Sequence, residues 1–458
     1  LNQPHQGDFM KLTIIGAASP RFPLLLHSLL SRTDLCFDEV SLFDSDGEKL
    51  GLLNDTVLEE ILQFHGSRMT LTVSPSLEEA VDGSAYIFSS FRTGGQRMRG
   101  IDEAAAISCG QIGQETVGVG GYLLALRTIP VVLEQIKVIE RRAPHATVIN
   151  FTNPSGLVTQ AVCSLTGFSR IVGICDAPQI IADYVASAFD CQPEQVGLSY
   201  YGLNHLGWAH SITIDGKEVI DELIDHRLDR FFAAEPFYAD LEQYIRRTRM
   251  IPNEYLYYYV HTQQVLENQR RSGKGRAEVI QGLDATLYAA LSARSEDPLK
   301  AYNRYIDRRN SSYMTLESSH QRNQRTFSLL DQHTSNGYDA IALGVLSSLV
   351  NGSDTPMILN IKNDGFDPQL QDDDIIEVSA VNTGGWFRPM GILPHLPDEA
   401  RSLLMSIKVF ERRIIEAVRS GKSSDAIAAL GAHPFVETGE AAALYRCIMQ
   451  ARSALEVS

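Results

Sequence analysis

Over the first 195 residues, short β-branched runs alternate with longer stretches in which apolar residues recur every three to four positions. Lys11–Gly16 (KLTIIG) reads as a strand ending at glycine, and an apolar-periodic helix follows over Phe22–Leu30. Asp38–Phe43, Ala85–Ser90, Ala146–Asn150 and Arg170–Ile174 are further strand-like runs, with helical stretches at 47–64, 122–142 and 155–166 between them. Strands alternating with helices predict an α/β fold on a doubly wound parallel sheet, placed at residues 10–195. Beyond it, Gly197–Gly202 and Ala209–Asp215 read as strands of a second sheet. Residues 220–330 carry helical patterns and many aromatics, Tyr338–Leu349 reads as a helix, and Asp373–Val381 as a strand. Ala400–Arg419 is amphipathic and stops at Gly421, a helix-ending signal. Residues 196–458 are therefore expected to form a mixed α+β domain with C-terminal helices. With no repeat and no low-complexity linker, the two parts should share one large interface.

Composition narrows the function. The 458 residues are 44% apolar and 21% charged, as expected of a soluble globular protein with a large core. Lys and Arg number 40 against 56 Asp and Glu, a formal charge of −16 without basic runs, which argues against nucleic acid as a partner. No apolar run is long enough to span a membrane. Residues 1–9 read as a leader remnant ahead of Met10, and the start lacks the basic and apolar regions of a signal peptide. Cysteines 36, 109, 163, 175, 191 and 447 lie far apart without paired motifs, which predicts reduced thiols and a cytoplasmic address.

In open α/β sheets ligands sit beyond the carboxyl ends of the strands. There the first strand offers Gly16, Ala17, Ala18 and Ser19, and the second offers Asp44. Small residues let a turn approach a phosphate, and a carboxylate can take ribose hydroxyls. A plain turn and a helix-capping Asp44 are the competing readings. Arg92 follows the third strand in FRTGGQRMRG, where Arg92, Arg97 and Arg99 suit a substrate phosphate or, alternatively, pair with Asp102 and Glu103. Asn150 and Asn153 in NFTNPSG can fix a carboxamide and orient a sugar hydroxyl, or simply start a helix. Cys175 in GICDAP and His205 in GLNHLGW could share a Zn or Fe ion completed by Asn204 or substrate, or Cys175 could be a buried core thiol. The run Tyr255-Leu256-Tyr257-Tyr258-Tyr259 suits core packing, although a tyrosine beside a metal could serve as a base.

Taken together, KLTIIGAAS, FRTGG, GQIGQETVGVGG, VINFTNPSG, GICDAP, YYGLNHLGW, PNEYLYYY, GRAEVI and ALGAHPFV carry a resemblance over nearly the whole chain. The chain resembles the NAD- and metal-dependent glycosidases of glycoside hydrolase family 4, most closely the 6-phospho-β-glucosidases. That resemblance implies a Rossmann-type domain related to lactate and malate dehydrogenases, bound NAD, and a divalent metal, usually Mn²⁺. It implies Cys175 and His205 as metal ligands, and Asn153 and Asn204 beside the substrate. Tyr255 becomes the base, with Tyr258 its competitor and Asp176 a further catalytic candidate. Arg92 would meet a 6-phosphate and lie near the cofactor as well, and Arg276 would contact the substrate. The implied substrate is a phosphorylated disaccharide or aryl glucoside, and the implied assembly a homodimer or homotetramer. The implied reaction oxidises C3 of the sugar, removes the C2 proton, expels the aglycone from C1, adds water and returns the hydride. Two departures stand out. GAAS replaces a glycine-rich turn, and Asp176 follows the cysteine as in phospho-α-glucosidases, which keeps the α-linked substrate as the alternative. A plain NAD-dependent sugar dehydrogenase is the other competing reading.

Overall fold

The computed structural model describes residues 9–67, 69–321, 326–331 and 337–457. Six parallel strands are β1 (Lys11–Ile15), β2 (Glu39–Phe43), β3 (Thr70–Val73), β4 (Tyr86–Ser89), β5 (Thr147–Asn150) and β6 (Ile171–Gly173). Their spatial order is β3-β2-β1-β4-β5-β6, the dinucleotide-binding order that reverses between the first and fourth strands. Register is regular, with Leu12 opposite Val40 on one side and opposite Tyr86 on the other. Every residue of β1, β4, β5 and β6 is buried, as expected where helices cover both faces of a parallel sheet. The doubly wound reading is borne out. β3 escaped it because TLTV alternates only weakly and stays largely exposed at the sheet edge.

The later strands do not form a second sheet. They are β7 (Val196–Leu203), β8 (Leu206–Ile214), β9 (Lys217–Glu218), β10 (Ile251–Pro252), β11 (Met357–Lys362), β12 (Ile375–Thr383) and β13 (Trp386–Pro389). β11 pairs antiparallel with β6 through Asn360 and Gly173, and β12, β7, β8 and β10 continue outward from it. One sheet of thirteen strands results, parallel on one side and antiparallel on the other. The core crosses the same seam, because Leu12, Ile14 and Leu26 pack in one cluster with Tyr302, Tyr338, Leu346 and Ile376.

Two helices differ from expectation in ways that shape the site. The stretch expected at 47–64 runs through a π-helical turn at Asn54–Leu58. The helix expected from 122 begins at Gly118. A Cβ on Gly120 would lie 1.8 Å from the Gln114 carbonyl oxygen, and one on Gly121 2.3 Å from that of Thr116. Glycines there let the helix press against the 114–116 segment, which carries Glu115 and Thr116 into the site. The thiols are also not all free: Cys109 and Cys447 form a disulfide, tying the C-terminal helix Ala441–Val457 to the helix Gly95–Ser108. Cys36, Cys163, Cys175 and Cys191 are free. No helix among the described residues is long and apolar enough to cross a membrane.

Candidate functional site

A cavity of about 870 Å³ crosses the carboxyl ends of the parallel strands, near the upper end of the range for ligand pockets, ~300–1,000 Å³. At one end lies the turn after β1. Gly16 has φ +91°, and a Cβ there would stand 2.1 Å from the Ser90 carbonyl oxygen. Gly16→Ala should therefore lose ~1–2 kcal/mol from the left-handed backbone alone, with the collision adding to it. A thermal unfolding curve matching wild type would contradict this turn.

The turn's amides are engaged. Gly16 and Ala17 donate to the Phe43 carbonyl at 2.9 and 3.2 Å, and Ser19 donates to that of Gly16 at 3.1 Å. Ala18 donates to Asp44 Oδ2 at 3.0 Å, while Tyr288 Oη donates to the Ala18 carbonyl at 2.5 Å. Asp44 Oδ1 accepts from the Asp46 amide at 2.9 Å. The helix cap is Asp46, whose side chain accepts from Lys49 N, so the capping reading of Asp44 falls. Burial raises the Asp44 pKa above its ordinary value. Asp44 lines the cavity and each of its oxygens keeps a second lone pair, which suits ribose hydroxyls. Ala17 is fully buried and holds the turn without lining the cavity.

At the other end, Asn153, Cys175, Asp176, His205, Tyr255 and Tyr258 share the cavity wall. Asn150 does not. It is buried and spends its amide on the Thr152 and Ser155 carbonyls and Thr159 Oγ1. Asn204 also turns away, donating to Glu377 Oε1 at 3.0 Å and accepting from the Gly156 amide at 3.3 Å. The chemistry of an asparagine side chain was readable from sequence, but its partners were not.

His205 lies in the bend between β7 and β8 with φ +64°. Its Nδ1 is 2.7 Å from Thr116 Oγ1, and its ring stacks on Tyr255 at 3.7 Å and 10°. Burial lowers its pKa to about 4, leaving a neutral imidazole with Nε2 free to ligate. Burial, then Glu377 and Asp176, pushes the Cys175 thiol well above its ordinary value. No three His, Cys, Asp or Glu side chains converge on one point among the described residues. A divalent ion held by Cys175 and His205 would thus take only two donors from them and leave positions for substrate oxygens. Such a donor pair fits a catalytic site better than a closed structural one.

Tyr255 and Tyr258 lie one helical turn apart, at and within the helix Leu256–Val260. Tyr258 Oη donates to Met314 Sδ at 3.2 Å, whereas Tyr255 faces His205. Burial first, and nearby carboxylates after it, raises both phenols well above their ordinary values. Next to them, Glu254 is buried, its pKa pushed up to about 8 by desolvation, and it accepts from Tyr313 Oη. Sequence reasoning missed Glu254, whose only signal was its place beside the tyrosine run, and Tyr313, which had none.

The arginines divide into two groups. Arg92 pairs with Glu115, and Arg99 bridges Glu103 at 2.6 Å and Glu115 at 3.2 Å. Asp102 pairs instead with Arg127 at 2.6 Å and Arg452 at 3.0 Å. The FRTGGQRMRG cluster is therefore largely neutralised, chiefly by Glu115, a residue within GQETV that had no assigned role. Arg276 donates to the Ser312 carbonyl at 2.8 Å, to Ser312 Oγ at 2.6 Å and to the Arg309 carbonyl at 2.8 Å. Arg21, also missed, reaches Asp176 at 3.6 Å and lies over the rings of Phe151 and Tyr338, each 5.2 Å away.

Residues 11–191 match the family 4 glycosyl hydrolase family, and residues 200–436 match its C-terminal domain. A probable 6-phospho-β-glucosidase of Bacillus subtilis is 28% identical over 93% of this chain and 92% of its own. The maltose-6′-phosphate glucosidase MalH of Clostridium acetobutylicum is 27% identical over 60% of this chain and 66% of its own. The 6-phospho-β-glucosidase of Thermotoga maritima, solved with NAD and glucose 6-phosphate, superposes with a TM-score of 0.80 at 27% identity, covering 97% of this chain and 99% of that one. The same protein has been solved with manganese, NAD⁺ and glucose 6-phosphate, at a TM-score of 0.77 and 26% identity, with the same coverage. The chain belongs to family 4 of the glycosyl hydrolases.

Proposed function

We propose that this protein hydrolyses 6-phospho-β-glucosides, on phosphorylated disaccharides or aryl glucosides, with NAD⁺ and a divalent ion such as Mn²⁺ bound. The observation that carries this reading is the stack of Tyr255 on His205 in the cavity that also holds Cys175 and reaches Asp44. We read residues 10–195 as the NAD-binding part and 196–458 as the part bearing the substrate contacts. Gly16–Ser19 and Asp44 hold the adenosine side of the cofactor. Cys175 and His205 supply the metal donors, and Asn153 orients a sugar hydroxyl. Tyr255 takes the C2 proton, while Tyr258 packs behind it. Arg92, whose side chain is 28% exposed beside the cofactor end, and Arg276 line the part of the cavity where the phosphorylated sugar would sit. When bound, NAD⁺ supplies reversible hydride transfer at C3 and the ion supplies Lewis-acid stabilisation, so the net reaction is hydrolysis.

Asp176 supports a second reading, a 6-phospho-α-glucosidase, because α members carry aspartate after the cysteine. Against it, the probable 6-phospho-β-glucosidase of Bacillus subtilis matches 93% of this chain, whereas the maltose-6′-phosphate glucosidase MalH matches 60%. The deciding experiment compares α- and β-linked aryl 6-phosphoglucosides with NAD⁺, Mn²⁺ and reductant present. Faster aglycone release from the β-anomer without net NADH is expected. Faster release from the α-anomer would replace the β reading, and stoichiometric NADH would favour a dehydrogenase. The four free thiols favour a reducing cytoplasm, and the Cys109–Cys447 disulfide counts against it.

A further inference from the structure

Most basic side chains around the cavity have acidic or carbonyl partners. Arg92 and Arg99 share Glu115 and Glu103, Lys49 meets Asp46 at 2.7 Å, and Arg97 donates to the Glu456 carbonyl at 3.1 Å. Arg309 differs. It lies on the helix Pro298–Ser311 and lines the cavity, yet its guanidinium has no hydrogen bond or ion pair among the described residues. Its backbone is fixed, because its carbonyl accepts from Arg276 at 2.8 Å.

The neighbourhood makes this costly. Arg21 and Arg276 stand close enough to repel the Arg309 charge, and burial with that repulsion lowers its pKa to about 10. The carboxylates on this wall compensate only in part, since Asp176 and Asp284 act on the Arg309 charge without contacting it. Asp176 faces Arg21, and Asp284 accepts from Tyr305 Oη at 2.8 Å. Glu317 has no ion pair among the described residues, and one of its oxygens is buried without a hydrogen-bond partner. Burying cations without partners is unfavourable unless a ligand brings negative charge. Arginine's planar fork matches phosphate better than any other side chain does.

We infer that Arg309 is the principal anion-binding side chain of the cavity, with its guanidinium holding the phosphate monoester of the sugar in the corner it shares with Arg21 and Arg276. The inference deepens the phosphoglucoside reading and rests on it for the identity of the anion. It also assigns different work to the arginines expected at the substrate: Arg92 is balanced by Glu115, and Arg276 holds the Arg309 backbone. The cofactor's diphosphate is the alternative source of the same chemistry, since Arg21 sits just beyond the Gly16–Ser19 turn.

Calorimetric titration of the full chain with glucose 6-phosphate, inorganic phosphate and ADP-ribose separates these. In Arg309→Met, glucose 6-phosphate and inorganic phosphate should bind about ten- to a hundredfold more weakly, as expected for a charge-assisted contact, with ADP-ribose unchanged. Arg309→Lys should recover much of that loss. The variant should melt at or above the wild-type temperature, because a half-buried charge repelled by Arg21 and Arg276 and contacted by no carboxylate has been removed. Loss of ADP-ribose binding with glucose 6-phosphate binding intact would transfer Arg309 to the cofactor and overturn the inference. Unchanged binding of all three would overturn it too, as would a lowered melting temperature, which marks a structural cation. If wild type binds inorganic phosphate through Arg309 but not glucose 6-phosphate, the anion site stands and the phosphoglucoside reading falls.

Discussion

Cys175→Ser and His205→Ala should each bring turnover below detection while leaving NAD⁺ binding nearly intact. Both side chains line the cavity at the ends of β6 and β7, whereas the dinucleotide turn lies beyond β1 and is held by Asp44 and Tyr288. Removing one of two protein donors leaves a divalent ion with too few ligands to stay bound against water. Titration with Mn²⁺ should show this directly as lost affinity in both variants. The pH dependence has a definite sign. His205, with its pKa held near 4 by burial, is already neutral and releases no proton on ligation. Cys175, with its thiol pushed up by burial, must lose one. Affinity for the ion should therefore rise with pH, by roughly tenfold per unit for one displaced proton. Chelator should inactivate the wild type and Mn²⁺ restore it. Full activity after chelation, or Mn²⁺ affinity independent of pH, would remove Cys175 from the ligand set.

The parts of this site that were legible in sequence are those set by local pattern. Short, largely apolar strand runs followed by Gly16, Asp44, Asn153 and Cys175 place those residues on one rim once the sheet is parallel. Pairing between distant segments was not legible. β7 and β8 look alike in sequence whether they found a new sheet or extend the old one, and only the Asn360–Gly173 bridge decides it. The same holds for side-chain partners. Arg92 looked free because Glu115 lies 23 residues on, and Asn204 looked available because Glu377 lies 173 residues on. The Cys109–Cys447 link spans 338 residues and leaves no local trace. Arg309 and Arg21 went unnoticed for a related reason, since an arginine's significance here comes from which carboxylates fail to reach it.

Tyr255→Phe should slow turnover by ~10²–10⁴-fold, the usual contribution of a general base, and Tyr258→Phe should be much closer to wild type. The two hydroxyls face different surroundings. Tyr258 Oη is spent on Met314 Sδ within the core, so removing it deletes one weak contact. Tyr255 stacks on His205 at 3.7 Å and is close enough to Cys175 to feel its charge, so its phenol lies beside the two proposed metal donors. Burial, with Glu254 second, holds that phenol well above its ordinary pKa, so a base role needs positive charge at the Cys175–His205 site. Substrate affinity should change little in Tyr255→Phe, because the ring and its stacking survive the loss of one oxygen. A substrate deuterated at C2 gives the independent reading. With wild type it should exchange label with solvent or show a primary isotope effect, since that C–H bond breaks on the path, and no direct-displacement glycosidase breaks it. If Tyr258→Phe is crippled and Tyr255→Phe is nearly normal, the base is Tyr258 and the stack on His205 serves only to orient the imidazole. If both variants are active and the C2 label is retained without an isotope effect, elimination is the wrong mechanism for this protein.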